Sequence, residues 1–374
     1  MSFFSMLTTF ITVLHAYIFW RICAAFGLSV WQLPLLLLFG GMLYLISSRN
    51  ILFSQNISQP LYWAVYLWVG FIVIAALSFV LVDVARLAFF VTGKISGTQL
   101  SALIPARRGG FLAIGLSLGL TCFAYWQALN IRPVYLTIPS AKISQEAKPL
   151  RIAAVSDIHL GRIMDHGRLK RVTDVLQDVK PDILVFVGDI VDTDMSQRGQ
   201  DAALIKSVIP HGGGFAVLGN HELYRGMDQA ITFLERAGLK VLRNASVEAL
   251  NITIAGVDDP VFKHDPDLEQ EAALLRGLDQ SRFTLFLRHR PGHQRQLAGW
   301  YDLQVSGHTH GGQIWPGRIF ASRVNGIGQG LSTITGDSGQ SLLYVLNGAG
   351  FWGPPMRLGS PPEVLVIDLV PLSK

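Results

Sequence analysis

The sequence predicts two parts: an N-terminal bundle of about four transmembrane helices within residues 1–130, and an α/β domain with largely parallel strands from residue 150 onward. Three observations predict this. Four long apolar runs crowd into the first third of the chain. All but one of the 26 acidic residues lie after them. Beyond Leu150, short β-branched runs alternate with helical patterns, and each run ends in a polar loop.

The composition supports the split. Half of the 374 residues are hydrophobic and only 15% are charged, which is too apolar for an ordinary globular chain. Residues 1–140 hold seven Lys/Arg and a single acid, Asp83, leaving 24 basic and 25 acidic residues for the rest. The formal net charge of +5 therefore belongs to the apolar part. The remainder is close to neutral, so no nucleic-acid partner is expected. Both cysteines, Cys23 and Cys122, fall in the apolar part, which rules out a disulfide framework or a cysteine zinc site in the polar part.

The four runs are roughly Phe3–Trp20, Trp31–Ile46, Leu61–Leu81 and Phe111–Gln127. Each approaches the ~20 residues that a helix needs to cross a bilayer. Trp20, Trp31, Tyr62, Trp63 and Trp126 stand near their ends, where amphipathic rings favour the headgroup region. The first run has no basic start and three more follow it, so it reads as a span and not as a cleaved leader. His15 reads as a hydrogen bonder between helices, and Asp83 with Arg86 as an ion pair at the end of the third run. Arg86, Lys94, Arg107 and Arg108 lie between the third and fourth runs, and Arg21 opens the first loop, against Arg49 alone in the second. Excess Lys/Arg marks the cytoplasmic side, so the chain after the fourth run is expected outside an inner membrane.

Residues 131–149 read as an extended linker, followed by the polar domain over 150–374. There "RIAAVS" ends in "DIHLGR", "DILVFV" in "GDIVDTD", and "GGFAVL" in "GNHELY". Likewise "NITIAGV" ends in "DDP", "RFTLFL" in "RHRPGH", and "DLQVS" in "GHTHGG". Helical patterns at Leu169–Val179 and Asp228–Ala237 lie between them. This alternation implies an α/β domain, whose ligands collect beyond the carboxyl ends of the strands.

The loops at those ends carry Asp157, His159, Asp189, Asn220, His221, His289, His308 and His310. All offer oxygen or imidazole donors, a mixture suited to Mn, Fe, Zn or Co more than to Ca. In Asp157-x-His159 and His308-x-His310, alternate residues of an extended loop point the same way and can reach one site. The glycines beside them permit positive φ and close approach. Each pair alone would pass as ordinary loop chemistry; five such elements at strand ends would not. Ser156 and Ser306 read as loop hydrogen bonders and not as nucleophiles. Arg162 could clamp a phosphate or close its loop, and Asp192 and Asp194 could orient ligands or cap a helix. Asp258 and Asp259 read as turn residues. Arg288 and Arg290 could meet substrate or lie on the surface.

The ordered set "DIHLG", "GDIVD", "GNHE", "LRHRP" and "GHTHGGQ" resembles the five-block signature of the calcineurin-like metallophosphoesterase superfamily, and most closely its membrane-anchored bacterial branch. "SGHTHGGQIWP" and the late stretch Gly353–Val364 also match that branch, and the likeness covers roughly Leu150–Leu369. The resemblance implies a four-layer α/β/β/α sandwich around two divalent or mixed-valence transition-metal ions. It implies that Asp157, His159, Asp189 and His310 hold the first ion, and that Asp189, Asn220, His289 and His308 hold the second, with Asp189 bridging. His221 would be the non-ligand histidine facing the phosphate and the leaving group, so that His221 and Asp189 are the catalytic pair. The block around His289 departs from the usual pattern in being flanked by Arg288 and Arg290, and His293 is a second imidazole close by.

The reading that follows is a membrane-anchored metal-dependent phosphoesterase that cleaves phosphodiester or pyrophosphate bonds directly, with a metal-activated hydroxide as nucleophile. The bilayer is its partner, and the tether favours a lipid-linked or envelope phosphate ester as substrate. Two other readings stand beside it: a cytoplasm-facing pyrophosphohydrolase of the UDP-diacylglucosamine type, and a non-catalytic envelope-binding protein that kept the fold. Ligand imidazoles must be neutral, so metal affinity and activity are expected to fall below about pH 6.

Overall fold

A computed structural model describes residues 3–29, 38–42, 57–260, 268–292 and 294–372. The chain divides into two compact units, residues 1–126 with 353–356, and residues 127–352 with 357–374.

Among the described residues of the first unit, three helices are long and apolar enough to cross a membrane: Phe3–Phe26 (α1), Gln59–Ser96 (α2) and Ala106–Ala128 (α3). The expected second span, Trp31–Ile46, lies mostly outside the described residues, which there include only a helical stretch at 38–42. α2 begins at a proline in its first turn, runs well past the expected end at Leu81, and stops at Gly97, whose φ of 70° closes it in a left-handed cap. Ile18, Phe39, Ile72, Ala75, Phe79 and Ala113 form the buried core of this unit. His15 does bond between helices: its Nδ1 donates to the Ile11 carbonyl at 2.8 Å, and its Nε2 accepts from Trp68 Nε1 at 2.9 Å. Asp83 pairs with Arg86 as expected, and also with Arg21 and the Tyr17 hydroxyl.

The second unit is a sandwich of two six-stranded sheets. The first sheet runs in the order β1 (Arg132–Ser140), β12 (Glu363–Pro371), β2 (Leu150–Val155), β3 (Ile183–Val187), β4 (Gly214–Val217), β5 (Leu239–Val241). The second runs β10 (Gly330–Gly336), β11 (Gly339–Val345), β9 (Leu303–Ser306), β8 (Phe283–Leu287), β7 (Ile252–Gly256), β6 (Ala245–Ala249). Inward side chains of both sheets, among them Ile152, Val185, Val217, Ile254, Leu285, Val305 and Ile367, make one core. The outer faces carry helices. His166–Val179 (α4) packs on the first sheet, its Leu169, Val172, Leu176 and Val179 spaced to form one apolar stripe. Leu268–Arg276 (α8) packs on the second through Ala272 and Leu275. Strands covered on both sides are mostly apolar, which explains the hydrophobic runs of β3, β4, β7 and β8, whereas β9 also buries Gln304 and Ser306. Between these lie Gly199–Lys206 (α5), Asn220–Arg225 (α6) and Met227–Arg236 (α7).

One feature departs from expectation. Within the stretch expected to be a linker, Arg132–Ser140 is a sheet strand, parallel to β12 from Arg132↔Glu363 to Ser140↔Pro371. Its apolar residues alternate, so it offers only half the hydrophobic signal of a buried strand. The pairing is otherwise largely parallel, as expected, and only β12 with β2, β6 with β7 and β10 with β11 run antiparallel. The strands that carry the polar loops pair with one another in parallel within each sheet.

Candidate metal centre

Every predicted site residue follows the carboxyl end of a strand: Asp157 and His159 after β2, Asp189 after β3, Asn220 after β4, His289 after β8, and His308 and His310 after β9. Backbone bonds carry the sheet ladder into these loops. The Asp157 N–H donates to Gly188 O at 3.0 Å, that of His159 to Asp189 O at 3.0 Å, and that of Gly307 to His289 O at 2.8 Å. Asp157, His159, Asp189, His308 and His310 all have positive φ, between 50° and 69°. A side chain in the left-handed region costs about 1 kcal/mol or more. Five such residues in one place mean that the loops are held against their own preference so that the side chains converge.

Two glycines allow the crowding. A Cβ on Gly219 would strike Asp189 Oδ1 and come within 2.8 Å of His289 Nε2; one on Gly307 would strike Asp157 and come within 2.6 Å of Ser156 Oγ. Gly307, before the two late histidines, is thus a contact surface for the β2 loop, whereas Gly311 lies against Asn347 and Ser360.

The side chains gather into three overlapping sets whose donor atoms lie within 4.8 Å of one another: Asp157, His159 and His310; His159, Asp189 and His221; Asp189, His289 and His308. His159 links the first set to the second, and Asp189 links the second to the third. His159 Nε2 and His310 Nε2 are 3.0 Å apart, and the Asp157 carboxylate accepts the His308 N–H at 2.9 Å. His289 Nδ1 donates to Val187 O at 2.8 Å, which leaves Nε2 as its free donor atom, 3.1 Å from Asp189 Oδ2. That Nε2 and Asn220 Oδ1 are buried without a hydrogen-bond partner. Buried polar atoms are normally satisfied, so two orphans at one cluster of carboxylate and imidazole donors fit a bound cation. His293 lies outside the described residues.

Burial keeps three imidazoles in the neutral, ligating form. It takes His159 down to about 4 with help from His221, His308 to about 3 with help from His289, and His310 well below the usual range with help from His159. Burial would lower His289 too, but the Asp189 carboxylate beside it prevails and raises it to about 10. Burial likewise opposes ionisation of Asp189, yet the His289, His159 and His221 imidazoles hold it well below the carboxylate range. Burial, with the Asp189 charge behind it, pushes Asp157 up to about 6 against the opposing pull of His289 and Arg357.

His221 stands apart from the ligating groups in its bonding. Its Nδ1 donates to Asp192 Oδ1 at 2.7 Å and its backbone N–H to Asp189 Oδ1 at 2.9 Å. Burial opposes the charged ring, but the Asp192 bond together with the charges of Asp189, Asp192 and Glu222 outweighs it, so its pKa is raised. The rings of Tyr224 and Trp352 flank it at 5.6 and 5.9 Å. Asp192 is therefore the orienting carboxylate, whereas Asp194 closes a turn on the Ser196 N–H. Arg288 is buried against Glu271 at 3.1 Å, and Arg290 bonds Asp259 at 3.0 Å, so both are engaged within the protein. Asp258 similarly pairs with Arg243. Asp258 and Asp259 are thus ion-pair partners, not simply turn residues.

Two further residues were not singled out from the sequence. Glu222, fully buried on α6, accepts the N–H groups of Asp189, Ile190, Val191 and Gly219 at 2.7–3.0 Å. It ties the β3 loop to the β4 loop. Burial and then Asp189 push its carboxyl up to about 7, against four donors that favour the charged form. Its signal was its place in "GNHE", directly behind the donors. Arg357 is fully buried and donates to the carbonyls of His310 at 2.7 Å, Asn347 at 2.8 Å and Gly350 at 3.0 Å, with a longer contact to His310 Nδ1 at 3.3 Å. It joins the last metal loop to the returning chain before β12. No local pattern marks it, only membership of the stretch Gly353–Val364.

The comparisons with known proteins point the same way. The family description "Calcineurin-like phosphoesterase" matches residues 150–312. A protein of Aquifex aeolicus (strain VF5), described as "Uncharacterized metallophosphoesterase", is 35% identical over 254 residues, which cover 67% of this chain and 96% of that protein. The chain belongs to the calcineurin-like phosphoesterase family. It is accordingly a phosphoester hydrolase, and the family implies divalent metal ions at the site. A metallophosphoesterase relative with membrane spans exists as well: "Transmembrane protein with metallophosphoesterase domain" of Danio rerio is 28% identical, over 74% of this chain and 67% of that protein. Among solved structures, a 5'-nucleotidase precursor from Thermus thermophilus aligns with a TM-score of 0.38 at 16% identity, covering 59% of this chain and 55% of that one.

Proposed function

We propose that this metallophosphoesterase is anchored in an inner membrane by its apolar helices and hydrolyses phosphodiester or pyrophosphate bonds, with a lipid-linked or envelope-derived ester as substrate. The observation that carries the reading is the Asp189 carboxylate. It is shared by two donor sets, lies 3.1 Å from His289 Nε2 and accepts the N–H of His221; directly before His221 stands Asn220, whose Oδ1 is buried without a hydrogen-bond partner. Asp157, His159, Asp189 and His310 would hold one divalent ion, and Asp189, Asn220, His289 and His308 the other. Bound there, the ions would supply positive charge to the phosphate oxygens and lower the pKa of water.

The chain's own residues account for the rest. Asp192 fixes the His221 ring through Nδ1, which leaves Nε2 to carry a proton to the leaving oxygen. As a water oxygen bonds to phosphorus and the bond to the leaving oxygen breaks, that proton neutralises the departing alkoxide or phosphate. Glu222 and Arg357 position the loops and touch no reacting atom. Tyr224 and Trp352 place aromatic surface beside the proton donor, fit for an apolar leaving group. The Lys/Arg residues of the last part of α2 (Arg86, Lys94) and the first turn of α3 (Arg107, Arg108) support a domain on the far side from the cytoplasm.

The test is hydrolysis by the full chain in detergent micelles, with and without Mn²⁺, of bis-p-nitrophenyl phosphate, p-nitrophenyl phosphate and a lipid-linked pyrophosphate. Metal-dependent turnover of the diester or the pyrophosphate above the monoester is expected. No turnover of any of the three with Mn²⁺, Fe²⁺ or Zn²⁺ would leave a non-catalytic binding protein. A reporter fused at the C-terminus that is active only in the cytoplasm would overturn the sidedness.

A further inference from the structure

The helix Gly317–Asn325 (α9) follows directly on the loop of His308 and His310, and none of its residues is buried. Ile319 is 43% exposed, Phe320 62% and Val324 84%. Their spacing puts them on one face, with Arg323 between Ile319 and Phe320 around the helix and Arg318 exposed at its start. Trp315, just before the helix, is exposed as well. Residues 313–330 contain these two arginines and no Asp or Glu. A solvent-facing surface gains nothing from two aliphatic chains and a phenyl ring, and a core helix would have buried them. Aromatic and aliphatic residues interleaved with arginine suit the headgroup boundary of an anionic bilayer, where the rings and methyls sink below the phosphates and the guanidinium groups meet them. A bilayer is also at hand: α3 is apolar enough to span one, and only residues 129–131 separate its end from β1.

We infer that α9 is an interfacial helix, which seats Ile319, Phe320 and Val324 in the surface of an anionic phospholipid bilayer and thereby presents the adjoining metal loop to phosphoesters borne on lipid. This rests on the membrane-anchored reading above and names the physical form of its substrate.

The experiment uses the full chain in nanodiscs of phosphatidylcholine alone or with about one-third phosphatidylglycerol. An environment-sensitive dye is placed at Val324→Cys, or for control at Glu248→Cys on β6, in a background with Cys23→Ser and Cys122→Ser. The Val324 dye should be blue-shifted and quenched by doxyl-labelled lipid, more so in the anionic discs, at about fivefold tighter apparent association for each arginine retained. The control dye should show neither effect. A Val324 dye that behaves like the control overturns the inference. So does a shift that depends on protein concentration and not on lipid, which would mean a second copy covers the helix. In a second arm, Phe320→Ser with Val324→Ser should lower turnover of a long-chain lipid phosphodiester at least about fivefold and leave soluble bis-p-nitrophenyl phosphate within about twofold. Equal loss on both esters overturns the inference in favour of a structural role. If the parent protein hydrolyses neither ester, the proposed activity fails, and the dye alone decides the place of α9.

Discussion

His15 and His289 are both buried histidines, one in each unit of the chain, and they are bonded in opposite ways. His15 in α1 has both ring nitrogens engaged, one with its own helix and one with Trp68 of α2. His289 has Nδ1 engaged with Val187 O, while Nε2 points at the edge of a carboxylate without a hydrogen bond. Two arginines, one from each unit, differ as well. Arg21 closes on the carboxylate of Asp83, whereas Arg357 donates to carbonyl oxygens, leaving the nearby carboxylates for other partners. In the helical unit the buried imidazole is completed by its neighbours, as a low-dielectric surrounding favours. In the sheet unit the imidazole atom left without a hydrogen bond lies within a cluster of ligating side chains, and that coincidence marks the site.

The comparison can be broken or sharpened, beginning with the largest effect. Asp189→Asn should lower kcat/KM on bis-p-nitrophenyl phosphate by at least about a thousandfold, because a shared charge worth several kcal/mol is lost. Elemental analysis should show ions missing, and wild-type turnover would remove Asp189 from the centre. Arg357→Met should cost about 3 kcal/mol in thermal unfolding of the metal-free protein, since buried carbonyls lose their donor. Arg357→Lys should recover part of that; an unchanged Tm for Arg357→Met would show that the guanidinium holds nothing in place.

The third prediction concerns protons. The folded pKa of His289 is raised to about 10 from an ordinary 6.5, so its ring is protonated at neutral pH and must lose that proton to ligate. Binding of Mn²⁺ near pH 8 should therefore release about one proton, read by calorimetry in buffers of different ionisation heat, and His289→Ala should abolish the release. On the acid side Asp157, raised to about 6, takes up a proton as pH falls through that value. Metal affinity, which already falls about tenfold per pH unit below about 10 through the His289 proton, should then steepen by up to about a further tenfold per unit. The expected loss below about pH 6 thus passes from the imidazoles to a carboxylate, since His159 and His308 stay neutral down to about 4 and about 3. The smallest effect is at His15. His15→Phe should cost about 1 kcal/mol of thermal stability in micelles and leave ion content untouched. A fall in ion content would end the contrast between the two histidines.

Much of this was legible in the residues alone. β3, β4, β7 and β8 appear as mainly apolar runs at their observed positions, because strands covered on both faces must be largely apolar, while β9 is marked more by the loop that follows it. The donor set could be read from residue type and from position at strand ends, since few chemistries need Asp-x-His and His-x-His with flanking glycines. What could not be read is what holds those loops. Glu222 and Arg357 look like ordinary charged residues, and β1 looked like tether, since its alternation is weak and its partner β12 lies more than two hundred positions away. Local sterics and periodicity are written along the chain, and they determined the elements and the kind of chemistry. Which buried atoms are satisfied and which are left open depends on distances across the two sheets. Only the folded structure decided that His289 Nε2 would face the Asp189 carboxylate while His15 would be hydrogen-bonded at both nitrogens.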